Sequence, residues 1–167
     1  MSKELQNLNR KLRYLNDVPT IGLEIIDFIC GDFLGSGIHR EVYDYNLDPK
    51  YVVKIDISEE CGDNSIEWRI WNNVMHTTDG TKNWFAPCSW ISTNGRIMLQ
   101  RKTKPLYDKF KNIPEKIPAY FTDIKPDNFG WIGNQIVAHD YAYCLERFGY
   151  FALNKKMQPF KKIVSNY

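Results

Sequence analysis

Two polar clusters, Asp123-Ile124-Lys125-Pro126-Asp127-Asn128 and Asp140-Tyr141-Ala142, stand on either side of a short apolar run. That run divides into Phe129 to Ile132 and Gln135 to His139, two β-prone stretches around Gly133-Asn134, a dipeptide suited to a hairpin turn. A hairpin there sets Asp140 across from Asn128, although twelve residues separate them in the chain. Few folds place an Asp, a Lys at +2, an Asn at +5 and a second Asp around one hairpin.

The chain before the clusters shows a second regularity. From Ile25 to Ile57 it forms short β-rich runs, Phe28 to Leu34, Glu41 to Asn46 and Tyr51 to Ile57, separated by Gly35-Ser36-Gly37 and Asp48-Pro49. This pattern predicts a three-stranded antiparallel meander. Asp63 or Asn64 can cap a helix running to about Met75, in which Ile66, Ile70 and Val74 form an apolar stripe. Glu67 lies three and four residues before Ile70 and Trp71, so the pattern puts a carboxylate on the buried side. Two further strands are expected at Cys88 to Ser92 and Arg96 to Gln100, joined by Thr93-Asn94-Gly95. Arg101 to Pro118 reads as a basic, proline-containing linker, and the aromatic, basic stretch from Leu145 to Tyr167 as helical at its start.

Leu5, Leu8, Leu12 and Leu15 have helical spacing, which the Pro19 region ends. The expected organisation is one compact unit of α+β class with three parts: a helical extension at 1–27, a β-rich lobe at 28–102 and a smaller lobe at 103–167. At 167 residues and 43% apolar composition the chain can bury one sizeable core, so intrinsic disorder is not expected.

A net charge of +2 is too small to signal a nucleic-acid partner, and no apolar run is long enough for a membrane span. Cys30, Cys61, Cys88 and Cys144 form no C-x-x-C pair, so neither a zinc site nor a disulfide framework is signalled. With no secretory leader at the amino terminus, a cytoplasmic protein is expected.

The chemistry resides in Gly35-Ser36-Gly37, Val42, Lys54, Glu67 and the two polar clusters. A lysine in an apolar strand is costly to bury without a counter-charge, and Glu67, thirteen residues on, is its natural partner. Together, from about Gly31 to Ala142, these motifs resemble the protein kinase superfamily, especially the very small kinase-like proteins of bacteriophages. The resemblance implies a minimal kinase-like fold: an antiparallel β N-lobe, one αC-like helix and a much reduced C-lobe.

It also implies roles. Gly35, Ser36 and Gly37 would form the glycine-rich loop, with Arg40 where the third glycine usually stands. Val42 would line the adenine slot. Lys54, held by Glu67, would contact the phosphates of ATP. Asp123 would orient or deprotonate the acceptor hydroxyl, Lys125 would steady the transferred phosphoryl, and Asn128 with Asp140 would hold Mg2+. Phe121-Thr122 replaces the usual His-Arg and Tyr141-Ala142 the usual Phe-Gly, but neither change deletes a metal ligand. Without the Arg, control through a phosphorylated activation loop is not expected.

The expected activity is ATP- and Mg2+-dependent phosphoryl transfer, on the strength of Lys125 to serine or threonine hydroxyls of proteins. Only 27 residues follow Asp140, which leaves no room for a full substrate-binding lobe. Two alternatives follow: a pseudokinase-type module that docks a host or partner protein, and a small-molecule kinase. A second copy of the chain could supply the missing surface. His39 and Arg40 are expected to be solvated, His76 and His139 structural, and Trp68, Trp71, Trp84, Trp90 and Trp131 packing residues. Lys155, Lys156, Lys161 and Lys162 read as a solvated terminal face.

Overall fold

The computed structural model describes residues 20–58, 62–144 and 156–161. The expected helix at 3–16 and the start of the tail lie outside them. The fold is α+β, with an antiparallel sheet and few helices among the described residues. In chain order come α1 (Thr20–Ile29), β1 (Cys30–Ser36), β2 (Arg40–Tyr45), β3 (Tyr51–Asp56), α2 (Asp63–Val74), β4 (Cys88–Ile91) and β5 (Ile97–Arg101). Then follow β6 (Lys104–Pro105), β7 (Lys116–Pro118), β8 (Phe129–Ile132), β9 (Gln135–Ala138) and β10 (Met157–Pro159).

These elements group into two compact units. The first takes the described chain up to Asn64 together with Ser89–Gln100; the second takes Ser65–Cys88 and the described chain from Arg101 onward.

In the first unit the expected meander forms, with strand order β1-β2-β3-β5-β4 in the five-stranded sheet. Its core gathers Ile26, Cys30, Tyr43, Val53 and Ile55, against which Ile29, Phe33, Tyr45, Ile97 and Leu99 pack. Phe28 and Ile29 are helical rather than the start of a strand, a correction to the sequence reading. Ile26 and Ile29, three apart on α1, both reach that core, and strand-forming composition yields to this packing.

The start of α2 also differs from expectation. Its exposed N–H groups are taken up by Asp56 of β3, whose Oδ2 accepts from the Gly62 and Asp63 amides at 3.0 and 3.2 Å. Asp56 Oδ1 accepts from the Ser58 amide and hydroxyl. Asn64 is committed elsewhere: its Nδ2 donates to the carbonyls of Lys54 and Arg96 at 3.1 and 3.0 Å.

The second unit holds an aromatic core. Phe85 stacks on Tyr120 at 5.7 Å, meets Phe121 at 5.1 Å and takes the edge of Tyr141 at 5.0 Å. Phe129 touches both Phe121 and Phe160, at 5.4 and 4.8 Å. Burial pushes the Tyr120 phenol well above its ordinary range, so this ring stays neutral in the core. Trp131 is buried as expected, whereas Trp90 is 49% exposed on β4.

The stretch expected to be a linker is structured. It carries β6, which pairs with β8, and β7, which pairs with β10. Gly130 permits the first pairing: a Cβ there would sit 2.5 Å from the Lys104 carbonyl and 2.6 Å from Thr103 Oγ1. Gly130→Ala is therefore expected to destabilise the protein by about 1–3 kcal/mol through overpacking. Gly133→Ala, at φ 61° in open space, should cost only about 1 kcal/mol from its left-handed backbone. Thermal melts of the two variants check the difference.

Candidate functional site

The first unit carries the glycine turn, Val42 and Lys54. Gly35 pairs with Val42 and Ser36 with Glu41, and the register of β1 shifts just before Gly35. The Gly37 amide donates to the Arg40 carbonyl at 2.8 Å and closes the turn. Neither Gly35 nor Gly37 has a positive φ, and a Cβ at either would meet nothing among the described residues within 4 Å. Packing among the described residues does not demand glycine at these two positions.

Val42 and Lys54 are direct neighbours across β2 and β3. Lys54 is 4% exposed, within a strand whose residues 52–56 are all buried. Its main chain is pinned by Asn64, and Arg96 ties the following residues by donating from Nη1 to the carbonyls of Asp56 and Ser58. His39 keeps a side chain 40% exposed and also meets Asp63, its Nδ1 lying 3.0 Å from Oδ2, whereas Arg40, expected to be solvated, is buried. The β1–β2 turn is thus tied to the start of α2.

The second unit carries Glu67, Asp123, Lys125, Asn128 and Asp140. The β8–β9 hairpin forms with Phe129 opposite Ala138 and Ile132 opposite Gln135. Asn128 lies just before β8 and Asp140 just beyond β9, so the hairpin brings its two ends together. The Asn128 carbonyl accepts from the amides of His139 and Asp140 at 2.9 and 3.3 Å. Its side-chain Nδ2 donates to the Asp123 carbonyl at 2.9 Å. One buried asparagine therefore fixes Asp123 on one side and Asp140 on the other.

Lys125 Nζ lies 3.2 Å from Asp123 Oδ2, both groups substantially solvated. Such a solvated pair adds little stability. The residues after Lys125 are drawn into a 3₁₀ turn, Pro126–Asn128, entered through a proline with preset φ.

Behind Asp140, Tyr141 is anchored at three points. Its amide donates to Glu67 Oε1 at 3.0 Å, its hydroxyl donates to the Ala86 carbonyl at 3.0 Å, and Cys88 Sγ lies 3.0 Å from the same hydroxyl. Glu67 is completely buried on the stripe that it shares with Ile70 and Val74, as its spacing predicted. Phe121, where the resemblance puts His, is held by the aromatic core instead of by polar contacts.

His139 acts as a clasp. Its Nε2 donates to the Asp127 carbonyl at 2.7 Å, which leaves Nδ1 to accept from the Thr103 hydroxyl at 2.8 Å. This agrees with a structural role.

The donor set suits a hard cation. With Nδ2 of Asn128 turned to Asp123, its Oδ1 faces away, and with the Asp140 carboxylate it offers oxygen ligands of the kind Mg2+ prefers. Among the described residues no group of three or more His, Cys, Asp or Glu is gathered for a metal. Mg2+ in nucleotide sites takes only one or two protein oxygens and completes its shell with phosphate and water, so the pair remains a fit.

Sequence reasoning missed Gln158. Its Nε2 donates to the carbonyls of Phe121 and Pro118, at 2.6 and 3.3 Å, just ahead of Asp123. No local pattern marks it, because its partners lie about forty residues away.

No protein-family model and no curated protein matches the chain. Among solved structures, that of the streptomycin-ATP-APH(2")-IIa ternary complex matches 60% of this chain and 34% of its own, at 15% identity and a TM-score of 0.39. The chain spans about a third of that structure's length, and a likeness of this size carries no argument about activity. No helix among the described residues is long and apolar enough to cross a membrane.

Proposed function

We propose that the chain is an ATP- and Mg2+-dependent phosphotransferase with a reduced kinase-like fold. The observation that carries this reading is Asn128, which ties the backbone of Asp123 to that of Asp140 with its own side-chain oxygen left for a cation. A solvated turn has no need of that arrangement. Buried Lys54 and the glycine turn add the phosphate-binding chemistry.

In this reading the turn Gly35-Ser36-Gly37, closed by the Gly37 amide on the Arg40 carbonyl, receives the phosphates, Val42 lines the adenine slot and Lys54 neutralises phosphate charge. Mg2+, held by Asn128 and Asp140, would offset charge on the phosphate oxygens. Glu67 orders Asp140 by holding the amide of its neighbour.

Asp123 accepts the proton of the acceptor hydroxyl as that oxygen forms a bond to the γ-phosphorus. The bond from that phosphorus to the β–γ bridging oxygen breaks, and ADP leaves. Lys125 steadies the moving phosphoryl group. The acceptor we favour is a serine or threonine hydroxyl of a protein, because of the lysine two residues after Asp123.

The test is calorimetric titration with ATP and Mg2+ followed by incubation with labelled ATP and cell lysate. Binding that Lys54→Met weakens about tenfold or more, together with labelled protein, supports the reading. Labelled metabolite would move the acceptor to a small molecule. Binding without any labelled product would favour a docking module, and absence of binding would remove the proposal.

A further inference from the structure

The tail lysines were expected to line a solvated helix; Lys156 is exposed, but the described segment 156–161 carries a strand, not a helix, and is built into the second unit. Strand β10 pairs with β7 in the register Met157 with Pro118, Gln158 with Ile117 and Pro159 with Lys116. Both ends of the pairing are closed. The Ala119 amide donates to the Lys156 carbonyl at 2.8 Å, and the Phe160 amide to the Glu115 carbonyl at 2.9 Å.

Two side chains extend this contact to the loop that carries Asp123. The turn Pro118–Phe121 is closed by its own amide only at 3.3 Å, and Gln158 bridges the two carbonyls of that turn with one primary amide. On the far side of the loop, fully buried Phe160 packs on Phe129, the residue after Asn128. The segment Asp123–Asn128 is thus flanked by two anchors, Gln158 of β10 and Phe160 just beyond it. Between Phe121 and Lys125 the chain has no regular secondary structure of its own. Its geometry depends on such outside anchors.

We infer that residues 156–161 are a strap that sets the position of the Asp123 loop, with Gln158 a positioning residue for Asp123. The catalytic part of this inference rests on the phosphotransferase reading; the strap does not.

The test uses the full chain with Gln158→Met, which keeps shape and removes both N–H donors, and Gln158→Lys, which restores a donor on a flexible stem. The first readout is amide hydrogen exchange in a peptide covering 118–125, with one covering 65–74 as internal control. For Gln158→Met the expected result is exchange about tenfold faster in 118–125 and unchanged in 65–74, with Gln158→Lys in between. The second readout is turnover: kcat should fall about 10- to 100-fold with KM for ATP unchanged, and recover in part in Gln158→Lys.

Unchanged exchange at 118–125 in Gln158→Met would overturn the strap. Equal acceleration in both peptides would also overturn it, by showing a loss of general stability. Altered exchange with unaltered kcat would overturn the positioning role. If the parent transfers no phosphate, the functional reading fails, and exchange alone then decides the strap.

Discussion

Replacing Asp123 by Asn is expected to lower phosphoryl transfer by about 10²- to 10⁴-fold, the contribution typical of a positioned general base. The substitution keeps size and shape. The Asp123 carbonyl that Asn128 holds belongs to the backbone, so the loop retains its main anchor in the variant. The pair with Lys125 is lost, but both partners are well solvated and its loss should barely register in a melt. Affinity for ATP with Mg2+ should stay within about twofold, because the phosphates and the cation are assigned to other side chains. Single-turnover assays beside calorimetric titration measure both quantities. Unchanged turnover in Asp123→Asn would remove this residue from the mechanism.

Glu67 should give the largest effect on stability. Glu67→Ala leaves the buried amide of Tyr141 without its acceptor and opens a hollow in α2, at a combined cost of about 3 kcal/mol. For a chain of this size that is a fall of about 6–12 °C in Tm. Glu67→Gln retains a carbonyl oxygen for the same amide and should lose much less. The comparison separates the acceptor atom from its charge. Equal melting temperatures for the Ala variant and the parent would mean that Glu67 does not hold Tyr141, and with it the chain beside Asp140.

The pattern of what could be read in the sequence follows from how local each signal is. The β8–β9 hairpin was legible because Gly133-Asn134 lies between two short apolar runs, and its closure sets Asn128 beside Asp140 across twelve residues of chain. The three-stranded meander and the buried face of α2 were legible for the same reason, each set by a period of two or of 3.6. Phe28 and Ile29 misled because α1 is apolar around much of its surface, with Ile25 and Phe28 exposed, so composition favoured a strand where the helical spacing of Ile26 and Ile29 decides.

Contacts between distant segments left no trace. Strands β6, β7 and β10 are two or three residues long and each contains proline, so no alternation could mark them; pairing partners far along the chain make them strands. His39 finds Asp63 across 24 residues, and Asp56, not a residue at the helix start, takes up the first amides of α2. Gln158 belongs to this class. The residues proposed for the site were picked out by residue type at fixed spacing, whereas the hydrogen bonds that hold the chain around them join distant segments.

The proposed function requires Lys54 and Asp140 to serve one nucleotide, and a double-mutant cycle on ATP binding in the presence of Mg2+ tests it most directly. Affinity is measured for the parent, Lys54→Met, Asp140→Asn and the double variant. If both side chains serve one triphosphate, each single change weakens binding and the double variant is weakened by clearly less than the product of the two, a coupling of about 0.5–3 kcal/mol. Strict additivity, or binding indifferent to both changes, would contradict the account.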